Sequence, residues 1–335
     1  MSEEAIRVLR LRKWFPIKLG FFKTLVAKQP LFVRAVDGIS FNIMKGEIFG
    51  LAGESGSGKT TTGRLLLKLI EPTYGQIFFK GKDITNLSGR EMVPLRREMQ
   101  MIFQDPYESL NPRMTVGNIV AEPLRVLGVT ESEKEVEDRV FRVLEDVRLT
   151  PPDEFLFRYP HELSGGQRQR VAVARAFVLS PSFVVADEPV SMLDVSIRAE
   201  ILNIMISLVE KNKTSFLYIS HDLALARHMC DRIAIMYLGK IVEMGTIEQI
   251  VYEPLHPYTK ALIAAVPVPD PTAKRSEAVI KGEIPSPVNP PSGCRFHTRC
   301  PSYIGDICKT KRPHLIDVGN KHYVACHLYS EKDAK

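Results

Sequence analysis

Long hydrophobic runs are missing from this sequence of 335 residues. No apolar stretch approaches the roughly 20 residues that a membrane-spanning helix needs. The N-terminus lacks a secretory pattern as well, because Glu3, Glu4 and Arg7 precede no long apolar region. We therefore expect a cytosolic protein that reaches a membrane only through partner proteins.

Concentrated positive charge is also missing, although the formal net charge is +6. Lysines and arginines are scattered and often neighbour acids, as in residues 131–135. No basic cluster with interleaved aromatic residues marks a nucleic-acid face. We therefore expect no nucleic-acid partner. The length of 335 residues favours one large domain with an addition, or two domains, and no internal repeat is present.

Cysteine is scarce and unevenly placed. The chain has five cysteines, and four of them follow residue 293: Cys294, Cys300, Cys308 and Cys326. In a cytosolic protein such a group suggests a metal centre rather than disulfides. The spacings are wider than those of structural zinc sites, and four thiolates suit an iron–sulfur cluster, with zinc as the alternative. Cys230 stands apart and is expected to be a small buried hydrophobe.

The order of apolar patterns predicts an α/β fold. Residues 6–50 alternate apolar and polar positions, which predicts antiparallel strands with a loop at 16–32. Further along, strands alternate with helices, which predicts a parallel-rich sheet. The predicted elements are a helix within 131–148, strand 183–187, helix 196–212, strand 215–219, helix 223–229 and strands near 232–243.

A glycine-rich loop follows the short apolar strand 48–52 and precedes a helical pattern. It has the form G-x-x-x-x-G-K-[ST] in the context that this motif needs to bind phosphate. Backbone N–H groups and the positive end of the following helix would face the phosphates, Lys59 would add a charge, and Thr60 would offer a hydroxyl to Mg²⁺. The candidate nucleotide contacts are Gly53, Glu54, Ser55, Gly56, Ser57, Gly58, Lys59, Thr60 and Thr61.

Two acids end the apolar strand 183–187. A carboxylate at the carboxyl end of a strand is well placed to face a ligand. Asp187 is the candidate Mg²⁺ ligand, acting through water, and Glu188 is the candidate general base for the attacking water.

Between the loop and the acidic strand lies Leu163-Ser164-Gly165-Gly166-Gln167. Ser164 and the amides of Gly165 and Gly166 form a second anion-binding turn ahead of a helix predicted over 167–178. The combination of loop, turn and acidic strand resembles the ATP-binding-cassette (ABC) ATPases, the motor subunits of ABC transporters. The resemblance implies a P-loop α/β cassette with an antiparallel β subdomain and a helical subdomain at about 105–178.

The same resemblance implies roles for single residues. Gln104 matches the glutamine that reaches Mg²⁺ and the transmembrane partner, and His221 matches the histidine that senses the γ-phosphate. Asp194 matches the D-loop, beside Met192 where a small residue is expected. Phe15, or its neighbour Trp14, would stack on adenine. The LSGGQ turn would face the γ-phosphate held by a second cassette, which implies hydrolysis that depends on dimerisation.

The region after the cassette indicates a branch of the family. The stretches 256–262 and 293–301 resemble the C-terminal part of ATPases in dipeptide and oligopeptide importers. The resemblance implies a cassette over 1–255 and an extension over 256–335, with a Pro-rich linker and a [4Fe–4S] cluster on the four cysteines. It also implies two permease subunits and, indirectly, a solute-binding receptor as partners, at the inner face of the cell membrane.

Three other functions stay open at this point. The cargo could be another small solute such as nickel or an oligosaccharide, because the cassette does not touch the cargo. A soluble cassette in DNA repair or translation is a second possibility, although neither a long coiled-coil insertion nor a second cassette is present. A degenerate, purely regulatory cassette is the third, and four intact residues argue against it: Lys59, Asp187, Glu188 and His221.

Overall fold

The structure is a computed structural model that describes residues 3–17, 30–130, 132–265, 280 and 282–329. The chain divides into two compact units. The first unit comprises residues Met1–Ile6, Ile43–Ile48 and Phe79–Ile219, and the second comprises Arg7–Asn42, Phe49–Phe78 and Ser220–Lys335. The predicted boundary after residue 255 stays a prediction, since each unit is assembled from several segments.

The first unit contains three parallel strands that end near its acidic residues. Strand β7 (Phe183–Asp187) pairs in parallel with β6 (Met99–Ile102) and with β8 (Ser215–Ser220). Every residue of β7 is buried, which explains its unbroken apolar run. The parallel arrangement places the carboxyl end of β7 beside that of β8.

Helices make up most of the rest of the first unit. The helix predicted within 131–148 is present as Glu133–Asp146, and its N-terminus is capped by the Ser132 side chain. The predicted apolar face is confirmed, because Val136, Val140, Val143, Leu144 and Val147 are all buried. The helices of this unit are α2 (Gly89–Arg96), α3 (Pro106–Ser109), α4 (Val116–Val126), α5 (Glu133–Asp146), α6 (Asp153–Leu156), α7 (Gly165–Phe177) and α8 (Val195–Asn212), with a 3₁₀ turn at Pro160–Glu162.

The second unit carries the strand that leads into the glycine-rich loop. Strand β3 (Ile48–Ala52) pairs in parallel with β9 (Arg232–Tyr237), and β9 pairs antiparallel with β10 (Lys240–Thr246). The C-terminal region continues this sheet, since β12 (Tyr323–Val324) pairs with β10 and β11 (Ile316–Asp317) pairs with β12.

A second sheet holds the N-terminal strands in the order β2 (Phe32–Met44), β1 (Glu4–Pro16) and β4 (Tyr74–Phe79), followed by the two-residue strand β5 (Lys82–Asp83). The loop predicted at 16–32 does separate β1 from β2, but its residues 18–29 lie outside the described part of the chain. The other helices within the described residues are α1 (Lys59–Leu66), α9 (Leu223–Met229), α10 (Ile247–Tyr252), α11 (Pro257–Ala264) and α12 (Asp306–Thr310).

A buried carboxylate ties the C-terminal region to β10. Glu243 is fully buried, and its oxygens accept from the backbone N–H groups of Leu255 at 2.8 Å and His256 at 2.9 Å. The ring Nε2 of His322 lies 2.8 Å from the same side chain. A buried acid is tolerated when its oxygens are satisfied in this way. The residues of the predicted Pro-rich linker between 266 and 279 lie outside the described residues.

None of the helices that the structure describes combines the length and the apolar character needed to span a membrane.

Candidate functional site

The glycine-rich loop connects β3 to α1, as the sequence predicts. Gly53 has a φ of 149°, and a Cβ there would lie 2.2 Å from the Met236 carbonyl oxygen. Gly58 has a φ of 107°, and a Cβ there would lie 2.2 Å from the Ala35 carbonyl oxygen. Both positions therefore require glycine, and the loop turns into the N-terminus of α1 where phosphate-binding N–H groups are found.

Lys59 is folded back into this loop. Its Nζ donates to the carbonyl oxygens of Gly53 at 2.7 Å and Glu54 at 3.1 Å, and the residue is only 5% exposed. The Ser57 hydroxyl is buried and has no hydrogen-bond partner within the described residues. The loop thus holds one cation, and beside it one buried hydroxyl for which a bound phosphate would be a partner.

Glu54 is held by residues that sequence reasoning missed. Its backbone N–H donates to the Tyr258 hydroxyl at 2.9 Å, and its carboxylate pairs with Arg299, whose Nη1 lies 2.9 Å from Oε2. These partners stand 204 and 245 residues further along the chain, so no local pattern could have indicated them.

The two acids at the end of β7 have different surroundings. Asp187 is buried and is the last residue of the strand. Glu188 has a φ of 47°, in the left-handed region that a side chain disfavours, and its N–H donates to the Ile219 carbonyl at 2.9 Å. Backbone strain of this kind concentrates at functional sites.

Gln104 lies beside Glu188 within the first unit. Its Nε2 donates to the Glu188 Oε2 at 3.2 Å. Gln104 follows β6, which is the immediate neighbour of β7 in the sheet, so the parallel topology brings the two side chains together. The structure therefore joins two residues that the sequence places 84 positions apart.

His221 directly follows β8 and is exposed. The next residue, Asp222, caps α9 by accepting from the N–H groups of Ala224 at 2.9 Å and Leu225 at 3.2 Å. His221 belongs to the second unit with the glycine-rich loop, whereas Asp187, Glu188 and Gln104 belong to the first. Its role as a γ-phosphate sensor stays a prediction.

The LSGGQ turn is a helix N-terminus with a capping box. Ser164 caps α7: its hydroxyl accepts from the Gln167 N–H at 3.3 Å, and its own N–H donates to the Gln167 side chain at 3.0 Å. The helix starts at Gly165 rather than at the predicted residue 167. A Cβ on Gly166 would lie 2.8 Å from the Ile197 Cγ2, so this glycine permits close packing of α7 on α8.

The D-loop region leads into α8. Asp194 is exposed at the helix N-cap, and its side chain makes no capping hydrogen bond. The apolar neighbours Met192 and Val195 are 65% and 79% exposed. The segment that resembles the D-loop thus exposes an acidic residue together with two apolar ones, and the role of Asp194 stays a prediction.

The candidate adenine-stacking residues differ in exposure. Trp14 is half-buried and donates from its Nε1 to the Asp37 Oδ1 at 3.2 Å. Phe15 is 38% exposed, with the Lys13 ammonium 5.0 Å from its ring centroid. Phe15 therefore has the more accessible face, and its role stays a prediction.

The four cysteines of the C-terminal region are free thiols. Burial, with smaller contributions from neighbouring thiols, raises the pKa of Cys294 and of Cys326 to about 11. Burial also raises the pKa of Cys300. The part of the chain that the structure describes contains no group of three or more Cys, His, Asp or Glu side chains arranged to hold a metal ion. The predicted cluster is therefore not confirmed. Cys230 is buried, as expected.

The strand, glycine-rich loop and helix, the acidic β7 terminus and the serine-capped turn define a P-loop ATPase of the ATP-binding-cassette class. Residues 36–191 match the ABC transporter family, and residues 242–308 match the C-terminal region of oligopeptide/dipeptide transporters. The chain belongs to the ABC transporter family, as an ATP-binding protein of its oligopeptide/dipeptide branch. The predicted cassette fold and family are confirmed.

Individual relatives support this assignment. The oligopeptide transport ATP-binding protein AppF of Bacillus subtilis is 48% identical over 98% of this chain and 99% of its own length. A putative peptide import ATP-binding protein of Brucella ovis is 52% identical over 88% of this chain and 92% of its own. Among solved structures, a dimeric ATP-binding cassette, MJ0796, in a post-hydrolysis state with ADP and Pi has a TM-score of 0.62 at 27% identity. It aligns over 72% of this chain and 98% of its own.

Proposed function

We propose that the chain is the ATP-hydrolysing subunit that powers import of dipeptides or oligopeptides through a membrane transporter. The main support for this proposal is the similarity to an oligopeptide transport ATP-binding protein over 98% of the chain. The similarity extends over the C-terminal region as well as the cassette. That coverage favours peptides over nickel or an oligosaccharide, and a transporter over a soluble repair or translation factor. We place the chain at the cytoplasmic face of the membrane, bound to two permease subunits.

The site residues take the following roles in this proposal. The loop 53–58 and Lys59 hold the β- and γ-phosphates, because the loop offers N–H groups and one cation. Thr60, Gln104 and Asp187 are the residues that would hold Mg²⁺, which supplies charge neutralisation at the phosphates when it is bound. Glu188 accepts the proton of the attacking water, and Gln104 orients the Glu188 carboxylate through the hydrogen bond between them.

Two cassettes complete each site. The LSGGQ turn offers the N–H groups at the start of α7 as an anion site, and we assign the γ-phosphate bound by a second cassette to this site. In its own site, His221 senses the γ-phosphate and Phe15 stacks on the adenine. The second cassette is either another copy of this chain or a related subunit, and closure of the pair drives the permease.

The test is ATP hydrolysis across a protein concentration series, with Glu188→Gln as the matched variant that keeps the shape of the site. We expect activity per chain to rise with concentration, and the variant to lose about 10²–10⁴-fold in rate while it still binds ATP. Uptake of labelled peptides by the complex reconstituted with its permease then tests the cargo. Equal rates in variant and wild type would reject Glu188 as the base, and uptake of nickel or an oligosaccharide instead of peptides would reject the cargo.

We further propose that Cys294, Cys300, Cys308 and Cys326 hold a [4Fe–4S] cluster, with zinc as the alternative. Two observations support a shared site. The thiols of Cys326, Cys300 and Cys308 all contribute to the raised pKa of Cys294, so the four lie within electrostatic reach. The Cys294 N–H also donates to the Cys308 carbonyl at 2.9 Å. The thiols are not arranged as a ligand set in this structure, so binding requires their side chains to move and to lose protons.

Metal analysis of anaerobically purified protein tests this second proposal. We expect about four irons and matching sulfide per chain, with loss of iron in Cys308→Ser. Cys230→Ser is the matched control, because this buried cysteine lies outside the group and should leave the iron content unchanged. Stoichiometric zinc in colourless protein would favour the alternative, and protein without either metal would overturn the proposal.

A further inference from the structure

Glu54 connects the phosphate loop to the C-terminal region. Glu54 is engaged through both its backbone and its side chain: its N–H donates to the Tyr258 hydroxyl at 2.9 Å, and its carboxylate faces the Arg299 guanidinium. The Arg299 Nη1 lies 2.9 Å from the Glu54 Oε2, and the Nη2 lies 3.4 Å from the Glu54 Oε1, so the ion pair is bidentate. All three residues belong to the second unit.

The two partners of Glu54 are themselves held rigidly. Tyr258 is fully buried, with its ring centroid 4.7 Å from that of Tyr237 and 5.3 Å from that of Phe296. The Arg299 side chain is 9% exposed, and its Nη1 also lies 3.3 Å from the Tyr237 hydroxyl. A pair this shielded from solvent is screened by salt much less than a surface ion pair. The contact therefore fixes where Glu54 sits.

The position of Glu54 affects the residue that binds phosphate. The Lys59 Nζ donates to the carbonyl oxygens of Gly53 and Glu54. A shift of Glu54 therefore moves one of the two acceptors that hold the Lys59 ammonium in place. The loop is also anchored at Ser57, whose carbonyl oxygen accepts from the Gly239 N–H at 2.8 Å. A loop already held in one shape loses less conformational freedom when a ligand binds.

We propose that Arg299 and Tyr258 are positioning residues for nucleotide binding, so that the C-terminal region forms part of the ATP site. Neither residue touches the phosphates: each acts through Glu54. Both residues lie in the segment 242–308 that matches the C-terminal region of oligopeptide/dipeptide transporters. The proposal therefore gives this segment a role in ATP binding. The inference rests on the proposed function only in taking the loop 53–60 as the site that binds ATP.

The experiment is equilibrium ATP binding by the full-length chain in a Glu188→Gln background, which prevents turnover. Arg299→Gln and Glu54→Gln should each raise the Kd for ATP about fivefold. The double variant should raise it no further, because the two changes remove one contact. Arg299→Lys, which keeps the charge, should recover part of the affinity. Tyr258→Phe, which keeps the ring and removes the hydroxyl, should also raise the Kd.

Two controls separate the possible failures. Arg312→Gln removes an exposed arginine of the same region and should leave the Kd unchanged, whereas Lys59→Ala should abolish binding. If the Arg299, Glu54 and Tyr258 variants keep the wild-type Kd and only lower the melting temperature, the contact is structural and the inference is overturned. If the chain with an intact Lys59 binds no ATP either, the proposed function fails instead.

Discussion

The Gln104 amide nitrogen lies 3.2 Å from the Glu188 carboxylate, at the carboxyl ends of two neighbouring parallel strands. Glu188 occupies a left-handed backbone conformation there, with a φ of 47°. Its N–H is held by the Ile219 carbonyl of the strand on the other side. The general base proposed for hydrolysis is thus oriented by both strands that flank β7.

Removal of the Gln104 amide should slow hydrolysis. In Gln104→Ala the Glu188 carboxylate loses a hydrogen-bond donor, and we expect kcat to fall about tenfold with a smaller change in ATP affinity. Steady-state ATPase assays on the assembled complex measure both quantities. In the Glu188→Gln background the same substitution should cost little more, because the two side chains act as a unit. Additive losses would show that Gln104 acts independently of Glu188.

Loss of the Ser164 cap should affect activity beyond its effect on stability. Ser164→Ala removes the N-cap of α7, which costs about 1 kcal/mol of unfolding free energy, and it also removes the hydroxyl of the LSGGQ turn. Ser132→Ala is the matched control, since the Ser132 hydroxyl caps α5 in the same unit by accepting from the Glu135 N–H, also at 3.3 Å. Both variants should show similar losses in denaturant unfolding, and only Ser164→Ala should lose ATPase activity. Equal activities would mean that the turn acts only as a cap.

Substitution of Gly166 should force α7 and α8 apart. A Cβ at Gly166 would lie 2.8 Å from Ile197, whereas a Cβ at Gly165 would make an ordinary 3.5 Å contact with Leu193. We therefore expect Gly166→Ala to lower the free energy of unfolding by about 1–3 kcal/mol, and Gly165→Ala to change it much less. Ile197→Ala should restore part of the loss in Gly166→Ala. Equal stabilities of the two alanine variants would contradict the close packing at Gly166.

Local patterns predicted the strand that feeds the phosphate loop, strand β7 and the helix with the valine face. Each of these depends on residues that are neighbours in the chain: an apolar run, a glycine-rich motif or a 3.6-residue period. The start of α7 was predicted two residues late, because the cap lies at Ser164 and the glycines that follow it are already helical.

The contacts between distant residues could not be predicted in this way. The Glu54–Arg299 pair joins positions 245 apart, and the Gln104–Glu188 pair joins positions 84 apart. Such pairs depend on which strands and helices become neighbours, and no short motif carries that information. The four cysteines are a further example. Their spacing in the sequence indicates a shared site, but it does not determine whether the four thiols are arranged to bind one metal centre.

The buried His256 should make the stability of the chain depend on pH. Burial lowers the pKa of this imidazole to about 4, against the opposing effect of the Glu243 charge. The ordinary pKa of histidine is about 6.5. Between about pH 4 and pH 6.5 this histidine is therefore protonated in the unfolded chain and neutral in the folded chain. The free energy of unfolding should therefore be highest above pH 6.5 and should fall towards pH 4, by up to about 1.4 kcal/mol per pH unit from this group.

A variant can separate His256 from the other groups that titrate in this range. The His256 Nδ1 accepts from the Tyr258 N–H at 3.0 Å and so caps α11. His256→Asn keeps an acceptor that suits an N-cap and removes the titrating ring. Denaturant unfolding at pH 7.5 and pH 5 should show a smaller loss of stability in the variant than in the wild type. An unchanged pH dependence would mean that other residues, and not His256, set the acid sensitivity of this region.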